Sequence, residues 1–187
     1  MTKSHTHRTD EKQQIFFTTR MSDPAFVALA LIGVSLGTLF IVYVAEYIFG
    51  LQPCLLCQYQ RIPFVITAAI GGSIWFLRDE ECNVCPTLAN LAGITFAAGS
   101  MIAAFHAGVE YGWWEGTADC VGSLPDATAS IEDLRKAVME APVVRCDEAA
   151  WTFLGISIAG YNFLWSTLLA SLSFLSSSLI KYESCKA

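Results

Sequence analysis

Charge is scarce in this chain. Of its 187 residues only 15% are Asp, Glu, Lys or Arg, while 54% are hydrophobic and the mean hydropathy is +0.48. About a quarter of a soluble domain is charged, so this scarcity excludes an ordinary water-soluble fold. The few charges are also unevenly placed. Blocks of about twenty apolar residues contain almost none, which is the length needed to cross roughly 30 Å of hydrocarbon. No nucleic-acid partner is expected; the surroundings implied are membrane lipid.

Four such blocks can be read off: 24–50, 62–77, 88–109 and 161–180. The second is short but is extended by the preceding turn. The fourth carries several serines, which in a span bond their own helix or a neighbour. Lipid offers no partner for backbone N–H and C=O groups, so each span must be a helix. The expected fold is an all-α membrane protein, an antiparallel four-transmembrane-helix bundle with a long loop between helices 3 and 4. Gly33 and Gly37, four apart on the first span, are expected to let a neighbouring helix come close, and Gly71, Gly72, Gly93 and Gly99 are candidates for the same use.

A cleaved signal peptide is not expected, because the first apolar block is too long for one and a polar tail precedes it. That tail, MTKSHTHRTDEKQQ, reads as disordered, with His5 and His7 solvated rather than bound to metal. The parts expected are a cytoplasmic tail over 1–23, a membrane domain over 24–180 with its outer loop at about 112–160, and a second cytoplasmic tail over 181–187.

Lysine and arginine set the orientation, since they concentrate in cytoplasmic segments. The N-terminal tail has Lys3, Arg8, Lys12 and Arg20, the 78–87 link has Arg78, and the C-terminal tail has Lys181 and Lys186. The 112–160 loop has only Arg135, Lys136 and Arg145 against eight acids. Both termini are therefore expected in the cytoplasm. Cys54, Cys57, Cys120 and Cys146 then face the outside, and Cys82, Cys85 and Cys185 the inside. In a bacterium the outer four meet an oxidising compartment. They form an even set, with no odd thiol left over.

The chemistry is carried by PCLLCQYQR, residues 53–61. With Pro53 in the first turn of the second helix, Cys54 and Cys57 stand three apart on one face, within disulfide reach. A helix N-terminus favours a thiolate. Arg61, expected one turn deeper on the same face, adds a fixed positive charge, and an arginine at that depth in lipid is a functional candidate. A plain structural disulfide with a snorkelling arginine is the alternative. The second pair, Cys120 and Cys146, brackets ASIEDLRKAV (129–138), which reads as a short amphipathic helix. That pair is either a staple for a long loop or half of a relay working by thiolate attack through mixed disulfides. A relay needs an electron acceptor, and a membrane quinone can reach the head of the second helix. Trp113, Trp114 and Trp151 read as interfacial anchors, and AAWTFLGISIAG (149–160) as a segment lying along the membrane surface.

With these residues in hand, the chain resembles the disulfide bond formation protein B family, bacterial inner-membrane thiol:quinone oxidoreductases, over most of 24–180. QPCLLCQYQR looks like the family signature, and FHAGVEYGWWEG (105–116) and CDEAAWTFLGISIAGYNFLWS (146–166) look like its proteobacterial branch. The resemblance implies that Cys120 forms the mixed disulfide with a periplasmic DsbA-like thioredoxin-fold partner. Cys146 would be its disulfide mate and would exchange with Cys54. Cys57 would be the thiolate facing the quinone, with Arg61 beside the quinone ring, and ubiquinone or menaquinone would be reduced to quinol. No metal is implied. Some members have a quinone-binding histidine near the outer end of the third helix. Here Glu115 stands at the nearest match and His106 lies deeper, with Glu46 and Glu110 also near the outer end.

Two other readings compete. A vitamin K epoxide reductase-like enzyme also heads a helix with Cys-x-x-C, but late in its bundle rather than at the second helix. A tetraspanin-like scaffold would carry an adjacent Cys-Cys-Gly, which is absent. ECNVCP (81–86) lies outside the family pattern and is expected as two reduced, accessory thiols; Cys185 is expected as a free tail thiol.

Overall fold

The computed structural model describes residues 17–79, 84–117, 120, 130–132, 135, 139 and 144–184. The histidines of the N-terminal tail, Cys82, Cys185 and most of the expected helix at 129–138 lie outside them. The chain order is α1 (Pro24–Tyr47), α2 (Leu55–Tyr59), α3 (Ile62–Leu77), α4 (Val84–Glu110), β1 (Thr152–Phe153), β2 (Ile156–Ser157) and α5 (Ile158–Ser184). Four helical segments are long and apolar enough to cross a membrane: Pro24–Tyr47, Leu55–Leu77, Val84–Glu110 and Ile158–Lys181. This is a four-span helical membrane protein. Large apolar side chains such as Phe40, Ile41, Phe76 and Met101 are exposed on the spans, as lipid-facing residues are.

Local chemistry explains the boundaries. Asp23 caps α1, its Oδ1 accepting the Ala25 N–H at 2.9 Å, and Pro24 follows where a missing N–H has no consequence. The second span is broken. α2 ends at Tyr59, Gln60 and Arg61 form a turn, and α3 starts at Ile62. Pro63 accounts for the break, because it cannot donate back to Tyr59 and its ring crowds that carbonyl. α4 starts at Val84, four residues before the expected span, so Cys85 belongs to the helix rather than to the link. The segment at 149–160, expected along the membrane surface, holds a tight hairpin pairing Thr152 with Ser157 and Phe153 with Ile156, followed at once by α5.

The chain divides into two compact units. The first takes residues 1–38, 63–97 and 168–187. There α3 packs on α1 at Gly71, where a Cβ would stand 3.0 Å from the Ala28 carbonyl oxygen and 3.1 Å from Leu31 Cβ. Ser35 and Thr67 share a buried hydrogen bond of 2.8 Å between the same helices. Phe64 meets Phe96 edge-on at 5.7 Å, and Gly93 leaves room for the Phe174 ring. Among the described residues nothing lies within 4 Å of a Cβ built on Gly33, Gly37 or Gly72, so no close approach is seen there. The serines of α5 bond as the sequence suggests: Ser173 donates to the Leu169 carbonyl and Ser177 to that of Pro86. Cys85 is buried, its sulfur 3.8 Å from the Leu77 carbonyl oxygen.

The second unit takes residues 39–62 and 98–167 and contains all four cysteines of interest. α4 closes there with a glycine cap. Gly112 has φ 69°, its N–H bonds the Val109 carbonyl, and the Trp113 N–H reaches back to Gly108. The turn folds Trp114 onto α4, where its Nε1 donates to the Phe105 carbonyl at 2.9 Å. Gly108 is required beneath the indole, since a Cβ would collide with it. The hairpin is tied down by Tyr111, which donates to the Gly155 carbonyl, and by Tyr161, which donates to that of Phe153.

Candidate functional site: a dithiol beside a buried disulfide

Cys54 is not in the first turn of the helix; it is the residue before it. It caps α2 in an extended conformation (φ −73°, ψ 174°), and its sulfur accepts the Cys57 N–H at 3.3 Å. The rest of the geometry builds on that cap. The two sulfurs lie 3.0 Å apart as free cysteines, Cys54 buried and Cys57 partly so. Cys120 and Cys146 form a disulfide, and both are fully buried. Cys54, Leu56, Val109, Cys120 and Cys146 share one apolar cluster, with Leu55, Cys57 and Val144 packed against it. The structure thus brings two cysteine pairs, 63 to 92 positions apart in the chain, into one small volume, one pair joined and one pair free.

His106, which the sequence left without a role, is at the centre of the site. The residue is 1% exposed, and its Nε2 lies 3.4 Å from the Cys54 sulfur. That nitrogen and the two sulfurs lie within 4.8 Å of one another. On the other side of the ring, Gln60 Nε2 lies 2.7 Å from Nδ1, and Gln60 Oε1 accepts from Asn162 Nδ2 at 2.6 Å. Ser166 donates to Asn162 Oδ1 at 3.2 Å. Glu110, one turn after His106, has Oε1 3.7 Å from Nε2, and its Oε2 is buried without a hydrogen-bond partner among the described residues.

These contacts act on Cys54. Hydrogen bonding from Cys57 first, then from His106, holds its thiol well below the usual value, against the opposing effect of burial. The helix terminus contributes through the Cys57 N–H.

Arg61, in the turn that follows α2, pairs with Glu46 of α1 at 2.7 Å. Its guanidinium sits 5.0 Å from the centre of the Tyr43 ring. Arg61 Nε is buried with no hydrogen-bond partner among the described residues. Glu115 is exposed. His106 could not have been singled out from spacing, because it meets Cys54 from 52 residues away; its only sequence signal was a polar ring deep in an apolar span.

The family model for "Disulfide bond formation protein DsbB" matches residues 24–176. The chain belongs to the DsbB family. It is 31% identical over 143 residues to an uncharacterized protein of Rickettsia prowazekii (strain Madrid E), covering 75% of this chain and 80% of the relative. Two proteins named Disulfide bond formation protein B are 26% identical. That of Albidiferax ferrireducens aligns over 80% of this chain and 82% of its own length, and that of a Polaromonas species over 78% and 83%. No solved structure matches the chain. Family membership makes this a multi-pass membrane protein of disulfide formation. It favours the DsbB-like reading of the Cys-x-x-C over the epoxide-reductase and scaffold readings.

Proposed function

We propose that this chain reoxidises a reduced, DsbA-like periplasmic dithiol protein and passes the electrons to membrane quinone through two disulfide pairs. The observation that supports this best is the pairing within one apolar cluster, with Cys120 joined to Cys146 and Cys54 and Cys57 free beside them. The bacterial inner membrane is the proposed location, with residues 1–23 and 181–187 cytoplasmic and the loop at about 112–160 periplasmic.

The proposed sequence uses thiol–disulfide exchange alone. A partner thiolate attacks Cys120, and Cys146 leaves as a thiolate. Cys146 attacks Cys54 of an oxidised Cys54–Cys57 pair, and the electron pair moves to Cys57. The partner's second thiol resolves its own mixed disulfide and frees Cys120. Cys120 then attacks Cys146, the loop disulfide closes, and Cys54 is released. The pairing at the end of that sequence is the pairing described above.

Quinone, when bound, takes an electron pair and its protons from the dithiol. The residues suited to hold it are Arg61 and Tyr43. Arg61 Nε is a buried donor without an acceptor, and a quinone carbonyl is an acceptor; the Tyr43 ring is a flat apolar surface beside it. Ubiquinone and menaquinone both present that carbonyl.

The deciding experiment is quinone reduction by the purified protein in detergent, supplied with a reduced DsbA-like protein. Wild type is expected to reduce quinone, and Cys57→Ser and Cys120→Ser are expected not to. Arg61→His should raise the quinone concentration needed for half-maximal rate more than that of the partner. No quinone reduction by folded wild type, with both quinone classes tried, would end this reading.

A further inference from the structure

The hydrogen bonds around His106 have a direction. Asn162 presents Nδ2 to Gln60 Oε1, so Gln60 turns its Nε2 toward His106 Nδ1. Nδ1 is then an acceptor, and the proton of the neutral ring sits on Nε2. Two acceptors face that N–H. The Cys54 sulfur, at 3.4 Å, is within the range of an N–H···S bond. Glu110 Oε1, at 3.7 Å, is beyond the range of an N–H···O bond. The proton therefore points at sulfur.

We propose that His106 is a catalytic hydrogen-bond donor to the Cys54 sulfur, held in its donor tautomer by Gln60 and Asn162, and that it stabilises Cys54 as the leaving thiolate when the loop disulfide closes. This rests on the relay proposed above. In that step the Cys120 thiolate attacks Cys146 of the Cys54–Cys146 mixed disulfide. The Cys120–Cys146 bond forms, the Cys54–Cys146 bond breaks, and the electron pair departs on Cys54. Cys120 arrives as the thiolate released when the partner's second thiolate resolves the mixed disulfide, so no proton moves in this step, and no other oxidant or reductant takes part. A leaving sulfur departs faster the better its thiolate is stabilised. The step needs donors at Cys54, and beside the Cys57 thiol and the Cys57 N–H stands the His106 N–H.

Gln60 and Asn162 are positioning residues. Among the described residues, the titratable groups facing His106 are Cys54 and Cys57 from the α2 turn and Glu110 from its own helix. Gln60, and Asn162 from α5 behind it, are neutral. Arg61 is engaged with Glu46. The Cys120–Cys146 disulfide does not titrate.

The test needs no quinone and no partner. The full chain is stripped of quinone in detergent, its Cys54–Cys57 pair is reduced, and alkylation of Cys54 by iodoacetamide is followed against pH, with the adduct assigned by mass spectrometry. Wild type should alkylate at mildly acidic pH. His106→Leu should slow that reaction at least about tenfold, the equivalent of one unit in the thiol titration. His106→Gln, which keeps a side-chain N–H, should recover most of the rate. Asn162→Asp reverses the polarity of the relay. An acceptor at 162 turns Gln60 round, places the ring proton on Nδ1 and leaves Cys54 facing a lone pair, so the rate should fall as in His106→Leu. An unchanged pH profile in both His106→Leu and Asn162→Asp would overturn the proposal. If His106→Leu loses its fold, judged by melting and by the loop disulfide, Asn162→Asp decides by the same criterion. The two proposals fail separately. A wild type unable to oxidise a reduced DsbA-like protein sinks the relay whatever the profile, and an unchanged profile in a working relay sinks the donor assignment alone.

Discussion

Cys54 does two things at once, and they can be separated. Its sulfur is a reacting atom in the proposed relay, and it is also the cap of α2, satisfying the Cys57 N–H. Serine is a favoured cap, whereas alanine in its place typically loses about 1 kcal/mol. Cys54→Ser should therefore melt close to wild type, and Cys54→Ala measurably lower, while both lose all quinone reduction. Parallel melts and activity assays check this, and equal melts would show that the cap contributes nothing. The pH dependence follows from the lowered thiol of Cys54. The thiolate disappears only as pH falls through that lowered value, so Cys54 of the reduced pair should stay reactive at mildly acidic pH, where an ordinary thiol, near 8.5, is silent. The reacting cysteines were legible in the sequence because Cys-x-x-C beside an apolar run is a local pattern. The donor that activates one of them was not, since His106 reaches Cys54 across 52 residues and no local spacing encodes such a contact.

The helices show which local signals decide and which do not. Apolar length marked all four spans, because a bilayer selects on length and composition. The break in the second span depends on one residue, Pro63, just after Arg61, whose ion pair with Glu46 no spacing along one helix encodes. Glycine was ambiguous. Gly33 and Gly37 have the spacing of a packing motif and touch nothing, whereas Gly71, with no such partner in register, takes the close contact with α1. Whether a small residue is used depends on where the neighbouring helix lies, which spacing on one helix cannot report. A side chain at Gly71 would meet the Ala28 carbonyl oxygen at 3.0 Å, and backbone cannot move aside as a side chain can. Gly71→Val should destabilise the protein by about 1–3 kcal/mol, the usual range for overpacking. Gly72→Ala, in open space, should not. Thermal melts in one detergent would check the pair, and equal losses would refute the packing assigned to Gly71.

For the molecule as a whole, the uneven charge of the sequence gave the membrane and the orientation proposed for it, but not the state of the outer cysteines. The Cys120–Cys146 disulfide is fully buried, although in the proposed function it is the bond a soluble partner must attack. In that function the disulfide must become exposed before it is attacked, and a partner that binds the protein can stabilise the exposed form. Reduced glutathione should therefore reduce this disulfide far more slowly than a DsbA-like protein at equal thiolate concentration. A denaturant that loosens the loop should narrow the difference. Comparable rates in the folded protein would mean that the burial gives no protection.

That burial has a consequence for the economy of the cell. In the proposed function this protein joins a soluble thiol pool to a respiratory electron carrier, a potential leak through which any small reductant could drain into the membrane. With the loop disulfide buried, that proposed circuit would conduct only while a matching protein is plugged into it.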